Sequence, residues 1–140
     1  MSETKGLVNN KEWYNYPELY DVFSFSEDKD KKCIEIVRGM IDEKQLQIIN
    51  PIDLGAGTGK IYDQLISGLD FEGHMFCVEN NAEMIRFLQK KYSKNKKIKI
   101  INDDISTFDL QKQKSSFIIS SFGFPSCLFD SEKILYELKN

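Results

Sequence analysis

The chain has 140 residues, a length that fits one domain and can bury a hydrophobic core. The composition is ordinary for a globular protein, and the net charge of −3 argues against a nucleic-acid or anionic-membrane partner. Three widely spaced cysteines and one histidine argue against a zinc site, so we expect no metal and a reducing, cytoplasmic location.

The N-terminal segment, residues 1–25, is rich in aromatic side chains and is expected to form a cap on the main domain, residues 26–140. A helix is predicted from Ser26, because serine followed by acidic residues is typical of a helix start. Helical spacing predicts that its apolar face carries Cys33, Ile34, Val37, Met40 and Ile41.

Short apolar stretches then alternate with helical patterns. Strands are predicted at residues 48–54, 75–78, 98–101 and 117–119. Pro51 is placed near the start of the first strand, because proline cannot donate to a sheet ladder. Helices are expected after the first strand, from Asn80 or Asn81, and from Ser131. This alternation predicts an α/β fold, with about four mostly parallel strands in a Rossmann-like winding and helices on both faces.

Three glycines at alternate positions follow the first strand, in Asp53-Leu54-Gly55-Ala56-Gly57-Thr58-Gly59-Lys60. Glycine permits positive φ and a close approach of the backbone to a ligand, so the turn indicates a nucleotide-type ligand. A dinucleotide fingerprint needs glycine at its sixth position, where this chain has Lys60, so a nicotinamide dinucleotide is the weaker alternative. A phosphate loop of the Walker type is excluded by its spacing.

Residues 53–59 resemble the first motif of the class I S-adenosylmethionine-dependent methyltransferases, and the resemblance covers roughly residues 14–138. Glu79, 20 residues after Gly59, matches the family carboxylate that binds the ribose diol of the cofactor. The family also has an acidic residue after its third strand that meets the adenine amino group. Asp104 matches this residue, with its neighbour Asp103 as a rival.

The resemblance implies S-adenosyl-L-methionine as the cofactor, with Asp53 facing its ammonium group. The implied cofactor-binding residues are Asp53, Gly55, Ala56, Gly57, Gly59, Glu79, Asn80, Asp104, Ile105 and Tyr20. The implied substrate wall consists of Tyr14, Phe122 and Phe124. No catalytic side chain is identified, because transfer from an activated methyl group needs mainly alignment of the acceptor.

The acceptor is predicted from residues 120–125, which lack the Asn/Asp-Pro-Pro-aromatic signature of amino methyltransferases acting on nucleic-acid bases. Together with the negative net charge, this favours a small-molecule or peptide acceptor and no nucleic acid. The alternative is a non-catalytic subunit that binds the cofactor and activates or stabilises a partner chain.

The family fold has seven strands, and only four are predicted here. The resemblance therefore implies a fold interrupted before its fifth strand, as in a split enzyme or a fragment. The family's strand order would leave residues 117–119 as an apolar edge. Because such an edge invites pairing, we expect a second chain or a second copy to cover it.

Overall fold

The computed structural model describes residues 15–18 and 27–120, with side chains from residue 31 onward in the second range. The predictions for Tyr14, Tyr20, Phe122, Phe124 and the helix from Ser131 lie outside these residues. The elements are α1 (Glu27–Lys44), β1 (Ile48–Ile49), β2 (Ile52–Leu54), α2 (Lys60–Gln64), a 3-10 turn (Ile66–Gly68), β3 (Phe71–Glu72), β4 (Met75–Glu79), α3 (Ala82–Lys91), β5 (Ile98–Asn102) and β6 (Ile118–Ile119).

The main sheet has four parallel strands in the order β5-β4-β2-β6. The chain builds outward from β2 through β4 to β5, and then returns to place β6 on the other side of β2. The strand order therefore reverses between β2 and β6, and ligands of such sheets bind beside this point at the carboxyl ends of the strands. The predicted Rossmann-like sheet is confirmed, including the fourth predicted strand beside the first.

Pro51 divides the predicted first strand in two. β1 pairs with β3 in a separate two-stranded parallel sheet, whereas β2 belongs to the main sheet. Asn50, immediately before the proline, has a φ of +46° and turns the chain between the two sheets. β3 was not predicted, because a two-residue strand is too short to show a period in the sequence.

The buried face of α1 is narrower than predicted. Ile41 is buried, and Ile34 and Val37 pack partly buried against the core. Cys33 and Met40 are exposed, which corrects their prediction as core residues. Each lies one position before Ile34 or Ile41, and one position is about 100° around a helix.

The helix predicted after the glycines is interrupted. α2 spans only five residues and is followed by the 3-10 turn. The Ser67 hydroxyl donates to Asp63 O at 2.8 Å, and such side-chain bonds compete with regular helix formation. Within the described ranges, no helix is both long and apolar enough to span a membrane.

Alternation along β2 places one carboxylate inside the protein. Ile52 and Leu54 pack in one hydrophobic cluster with Val78 of β4. Asp53 points to the opposite face, beside its register partner Cys77, which belongs to the other cluster. The sheet therefore holds the Asp53 side chain in its buried centre, two residues before the first glycine of the turn.

Candidate functional site

The glycine turn at residues 55–59 has the backbone that its sequence predicts. Gly55, Gly57 and Gly59 have φ values of +76°, +57° and +85°, a region that strains residues with a Cβ. The N–H groups of Gly55 and Ala56 donate to Val78 O at 2.9 and 3.1 Å. These bonds hold the turn against the carboxyl end of β4, where Glu79 ends the strand.

Glu79 connects the turn to the start of α3. Its side chain is buried, and Oε2 accepts from Gly57 N at 2.9 Å. Oε1 accepts from Asn80 N and Asn81 N, both at 3.0 Å. Three backbone N–H donors therefore fix this carboxylate in one orientation at the mouth of the turn.

Asp53 is fully buried, and neither carboxylate oxygen has a hydrogen-bond partner among the described residues. Burial, and secondarily the charge of Glu79, raises the pKa of Asp53 from 3.8 to about 7. Buried carboxylates without a partner are rare, because desolvation of the charge is not offset. A cation at this position would offset it.

Asp104 follows β5 and is linked to the end of β4. Its Oδ2 accepts from Asn80 Nδ2 at 3.0 Å, and its Oδ1 accepts from Ser106 N and Ser106 Oγ at 2.8 and 2.6 Å. The Ser106 bonds, and the weaker Asn80 bond, lower the pKa of Asp104, so the exposed side chain is charged at neutral pH.

Asp103, the rival of Asp104, faces its own loop. Asp103 Oδ1 accepts from Asp104 N at 2.7 Å and from the Thr107 hydroxyl at 2.8 Å. The side chain of Ile105, by contrast, lies over the glycine turn, since a Cβ built on Gly55 would be 3.3 Å from Ile105 Cδ1. Asp104 and Ile105 are thus the members of this loop that reach the site.

α3 begins at the site with a side-chain cap. Asn81 is the N-cap residue, and its Oδ1 accepts from Glu83 N and Met84 N at 3.0 and 3.1 Å. Its Nδ2 donates to Asn15 Oδ1 at 3.3 Å. Asn15, in the described part of the N-terminal segment, therefore touches the residue that starts α3 next to Glu79.

The C-terminal end of α3 contacts the other side of the glycine turn. The sequence did not predict this contact. Lys91 Nζ donates to Thr58 O at 2.9 Å, and the Tyr92 hydroxyl lies 3.0 Å from Gly59 O. Each of these two contacts joins residues that are 33 positions apart in the sequence, so no local sequence pattern could have indicated them.

The structure thus brings together five features of the predicted site: Asp53, the glycine turn, Glu79, Asn80 and the Asp104-Ile105 pair. All of them lie at the carboxyl ends of β2, β4 and β5, or directly after them.

Comparison with known proteins shows the family of this site. A family model described as a methyltransferase domain matches residues 52–140, more than half of the chain. The chain is 31% identical over 110 residues to the ribosomal RNA small subunit methyltransferase A of Mesomycoplasma hyopneumoniae strain J, covering 79% of this chain and 38% of that protein. The enzyme of the same name from Coxiella burnetii strain Dugway is 33% identical over 64 residues, covering 46% of this chain and 24% of that protein.

Solved structures share the fold. A protein of Methanococcus maripaludis assigned as an S-adenosyl-L-methionine-dependent methyltransferase has a TM-score of 0.67 at 21% identity, covering 99% of this chain and 61% of that one. A Pyrococcus horikoshii protein assigned as an RNA methyltransferase has a TM-score of 0.54 at 21% identity, covering 76% of this chain and 53% of that one.

The prediction that excluded nucleic acid in favour of a small-molecule or peptide acceptor is wrong. It is contradicted by the relatives, which are ribosomal RNA methyltransferases. The chain spans 38% of the length of the first of them. A net charge summed over that part does not measure the charge at an RNA-binding surface, which explains the error.

The family match, the sheet order and the carboxylates around the glycine turn agree with one another. The chain belongs to the methyltransferase domain family, with the Rossmann-like fold of the class I S-adenosylmethionine-dependent methyltransferases.

Proposed function

We propose that the chain carries the cofactor site of an S-adenosyl-L-methionine-dependent methyltransferase whose acceptor is small-subunit ribosomal RNA. The observation that carries the cofactor half of the proposal is the buried, unpartnered carboxylate of Asp53 beside the positive-φ glycine turn. The acceptor half is supported by the ribosomal RNA methyltransferases to which the chain is similar.

Asp53 is suited to bind the ammonium group of the cofactor. Its carboxylate is desolvated without a partner among the described residues, and a charged donor at hydrogen-bonding distance would offset that cost. The adjacent glycines leave no side chains in the way, so a ligand can approach the backbone of the turn closely.

Glu79 is suited to bind the ribose. An ionised carboxylate has about four acceptor positions, and three backbone N–H groups occupy three of those on Glu79. Oε1 accepts two bonds and Oε2 only one, so a ribose hydroxyl can donate to Oε2 while the turn stays in place.

Asp104 and Ile105 are suited to bind the adenine ring. Asp104 is charged at neutral pH and exposed, and its hydrogen bonds to Asn80 and Ser106 fix its orientation. An amino group is a natural donor to such a carboxylate. Ile105 lies over Gly55 and offers an apolar surface for the ring beside it.

Bound S-adenosylmethionine would supply a methyl group that is already activated by its sulfonium centre. The chain's residues would then hold the cofactor and align the acceptor, which is the main requirement of such a transfer. Tyr14, Tyr20, Phe122 and Phe124 remain predicted contacts of acceptor or cofactor.

The alternative of a non-catalytic subunit has no support from the comparisons, since the curated relatives are named as methyltransferases. We also propose that the protein works in the cytoplasm, where it would encounter small-subunit ribosomal RNA.

Transfer of label tests the proposal. The chain is incubated with tritium-labelled S-adenosyl-L-methionine and small-subunit ribosomal RNA transcribed in vitro, with a protein digest as the competing acceptor. We expect label in the RNA, abolished by Glu79→Gln at the site and retained by the matched control Glu72→Gln on β3, which is exposed. Label in the digest alone, or equal label with both variants, would contradict the proposal.

A further inference from the structure

The glycine turn is held from two sides. On the β4 side, Val78 O and the Glu79 carboxylate accept from its N–H groups. On the other side, the carbonyl groups of Thr58 and Gly59 lie within hydrogen-bonding distance of Lys91, the last residue of α3, and of Tyr92, which follows it. This second contact has no part in the cofactor contacts proposed above.

Tyr92 is the central residue of that contact. Its side chain is buried, and its hydroxyl lies 3.0 Å from Gly59 O and 2.7 Å from Asp63 Oδ1, so one proton is shared between two acceptors. Burial raises the pKa of Tyr92 above its ordinary value, so the hydroxyl keeps that proton. Lys91 forms an ion pair with Asp63 and donates to Thr58 O, so Tyr92, Lys91 and Asp63 form one connected group beside the turn.

The fit against Gly59 is close. A Cβ built on Gly59 would lie 2.3 Å from the Tyr92 hydroxyl oxygen, far inside contact distance. The third glycine of the turn is therefore required by the tyrosine as well as by its φ of +85°. Tyr62 packs edge-on against the Tyr92 ring at 5.3 Å and supports it from behind.

We propose that Tyr92, with Lys91 and Asp63, is a positioning group that fixes the Thr58-Gly59 backbone in its cofactor-binding conformation. The inference rests on the proposed cofactor site and adds to it the residues that hold the turn from behind. A turn with three residues at positive φ gains from outside support, because an unrestrained segment would lose more conformational entropy when the cofactor binds.

Tyr92→Phe tests the proposal, because it removes the hydroxyl and keeps the ring. Tyr62→Phe is the matched control, since its hydroxyl accepts from Asn95 Nδ2 rather than contacting the turn. We expect amide exchange at residues 58–60 to rise by about tenfold in Tyr92→Phe and to stay near the original rate in Tyr62→Phe. We expect S-adenosyl-L-methionine affinity to fall by about tenfold in Tyr92→Phe alone.

Three outcomes separate positioning from general stability. Unchanged exchange in Tyr92→Phe, or an equal rise in both variants, overturns the proposal. Faster exchange with unchanged affinity overturns it as well, because the group would then be structural only. If the unsubstituted chain binds no S-adenosyl-L-methionine, the proposed function fails, and the exchange comparison still decides whether Tyr92 fixes the turn.

Lys91→Met provides a second variant should Tyr92→Phe fail to fold. It removes the donor to Thr58 O from an exposed side chain and keeps most of the aliphatic stem. The same local rise in exchange with a smaller loss of affinity, about threefold, is expected. If neither amide exchange nor cofactor affinity changed in Lys91→Met, the proposed positioning role of this group would be contradicted.

Discussion

At the scale of single residues, the carboxylate of Asp53 has no hydrogen-bond partner in the described part of the protein. The charged carboxylate is unfavourable where it lies, and its pKa of about 7 expresses this. A residue that reduces folding stability in this way is typical of functional sites, where binding requirements oppose packing. The sequence indicated this role because an acid inside an apolar strand is otherwise costly.

The variant Asp53→Asn tests whether the buried carboxylate reduces the folding stability of the ligand-free chain. Because the folded pKa is raised, the folded chain keeps the proton between 3.8 and about 7, where the unfolded chain has released it. Ligand-free stability should therefore fall as the pH rises through this window, on account of this group. We expect Asp53→Asn to be more stable than the original chain, by a margin that grows by about 2–3 kcal/mol between about pH 5 and about pH 8, in urea unfolding.

The same variant should lose cofactor affinity by about tenfold or more, since asparagine offers no charge to an ammonium group. Comparing the two chains at each pH cancels the titration of all other groups. A stability difference that is the same at both pH values would contradict the proposed titration of Asp53.

At the scale of elements, hydrophobic periodicity predicted most of the strands and helices. The features that it missed depend on contacts between residues far apart in the sequence. β4 and β5 were predicted within one residue, and the start of α3 within one or two, because their apolar positions repeat clearly. The first strand was predicted as one element, although Pro51 divides it between two sheets. The separate pairing of β1 with β3 depends on a register that no local pattern reveals.

Two glycines in different elements are expected to respond in opposite ways to alanine. Gly39 lies inside α1, and an added methyl group there would have nothing within 4 Å, so Gly39→Ala should stabilise the chain by roughly 0.5–1 kcal/mol. Gly59→Ala would place a Cβ at positive φ against Tyr92, so it should destabilise by about 2 kcal/mol or more.

Urea unfolding measures both glycine variants, and cofactor titration separates them further. Gly39→Ala should bind S-adenosyl-L-methionine as the original chain does, whereas Gly59→Ala should bind it weakly or not at all. If Gly59→Ala were neutral in both measurements, the close contact with Tyr92 would be refuted.

At the scale of the whole molecule, the strand order brings the site together. Asp53, Glu79 and Asp104 come from three neighbouring positions in one parallel sheet, so residues 51 positions apart in the chain meet at one edge. This could be predicted from the sequence, because Asp53 lies next to the last residue of a predicted strand, and Glu79 and Asp104 follow two others. The Tyr92 contact could not, since it depends on how α3 packs across the turn.

The acceptor also could not be predicted at this scale. Net charge is a sum over the chain, whereas RNA recognition depends on where the charges lie. The prediction of a small acceptor used the sum and a missing signature, and relatives that act on ribosomal RNA overturned it. The cofactor was predicted correctly because the residues that carry the family resemblance lie at or near the ends of consecutive predicted strands.

The most direct measurement is a calorimetric titration of the chain with S-adenosyl-L-methionine and, separately, with NADH, beside Glu79→Ala. Binding of S-adenosyl-L-methionine in the micromolar range, lost in Glu79→Ala, is the expected result. Binding of NADH without binding of S-adenosyl-L-methionine would contradict the proposed cofactor site.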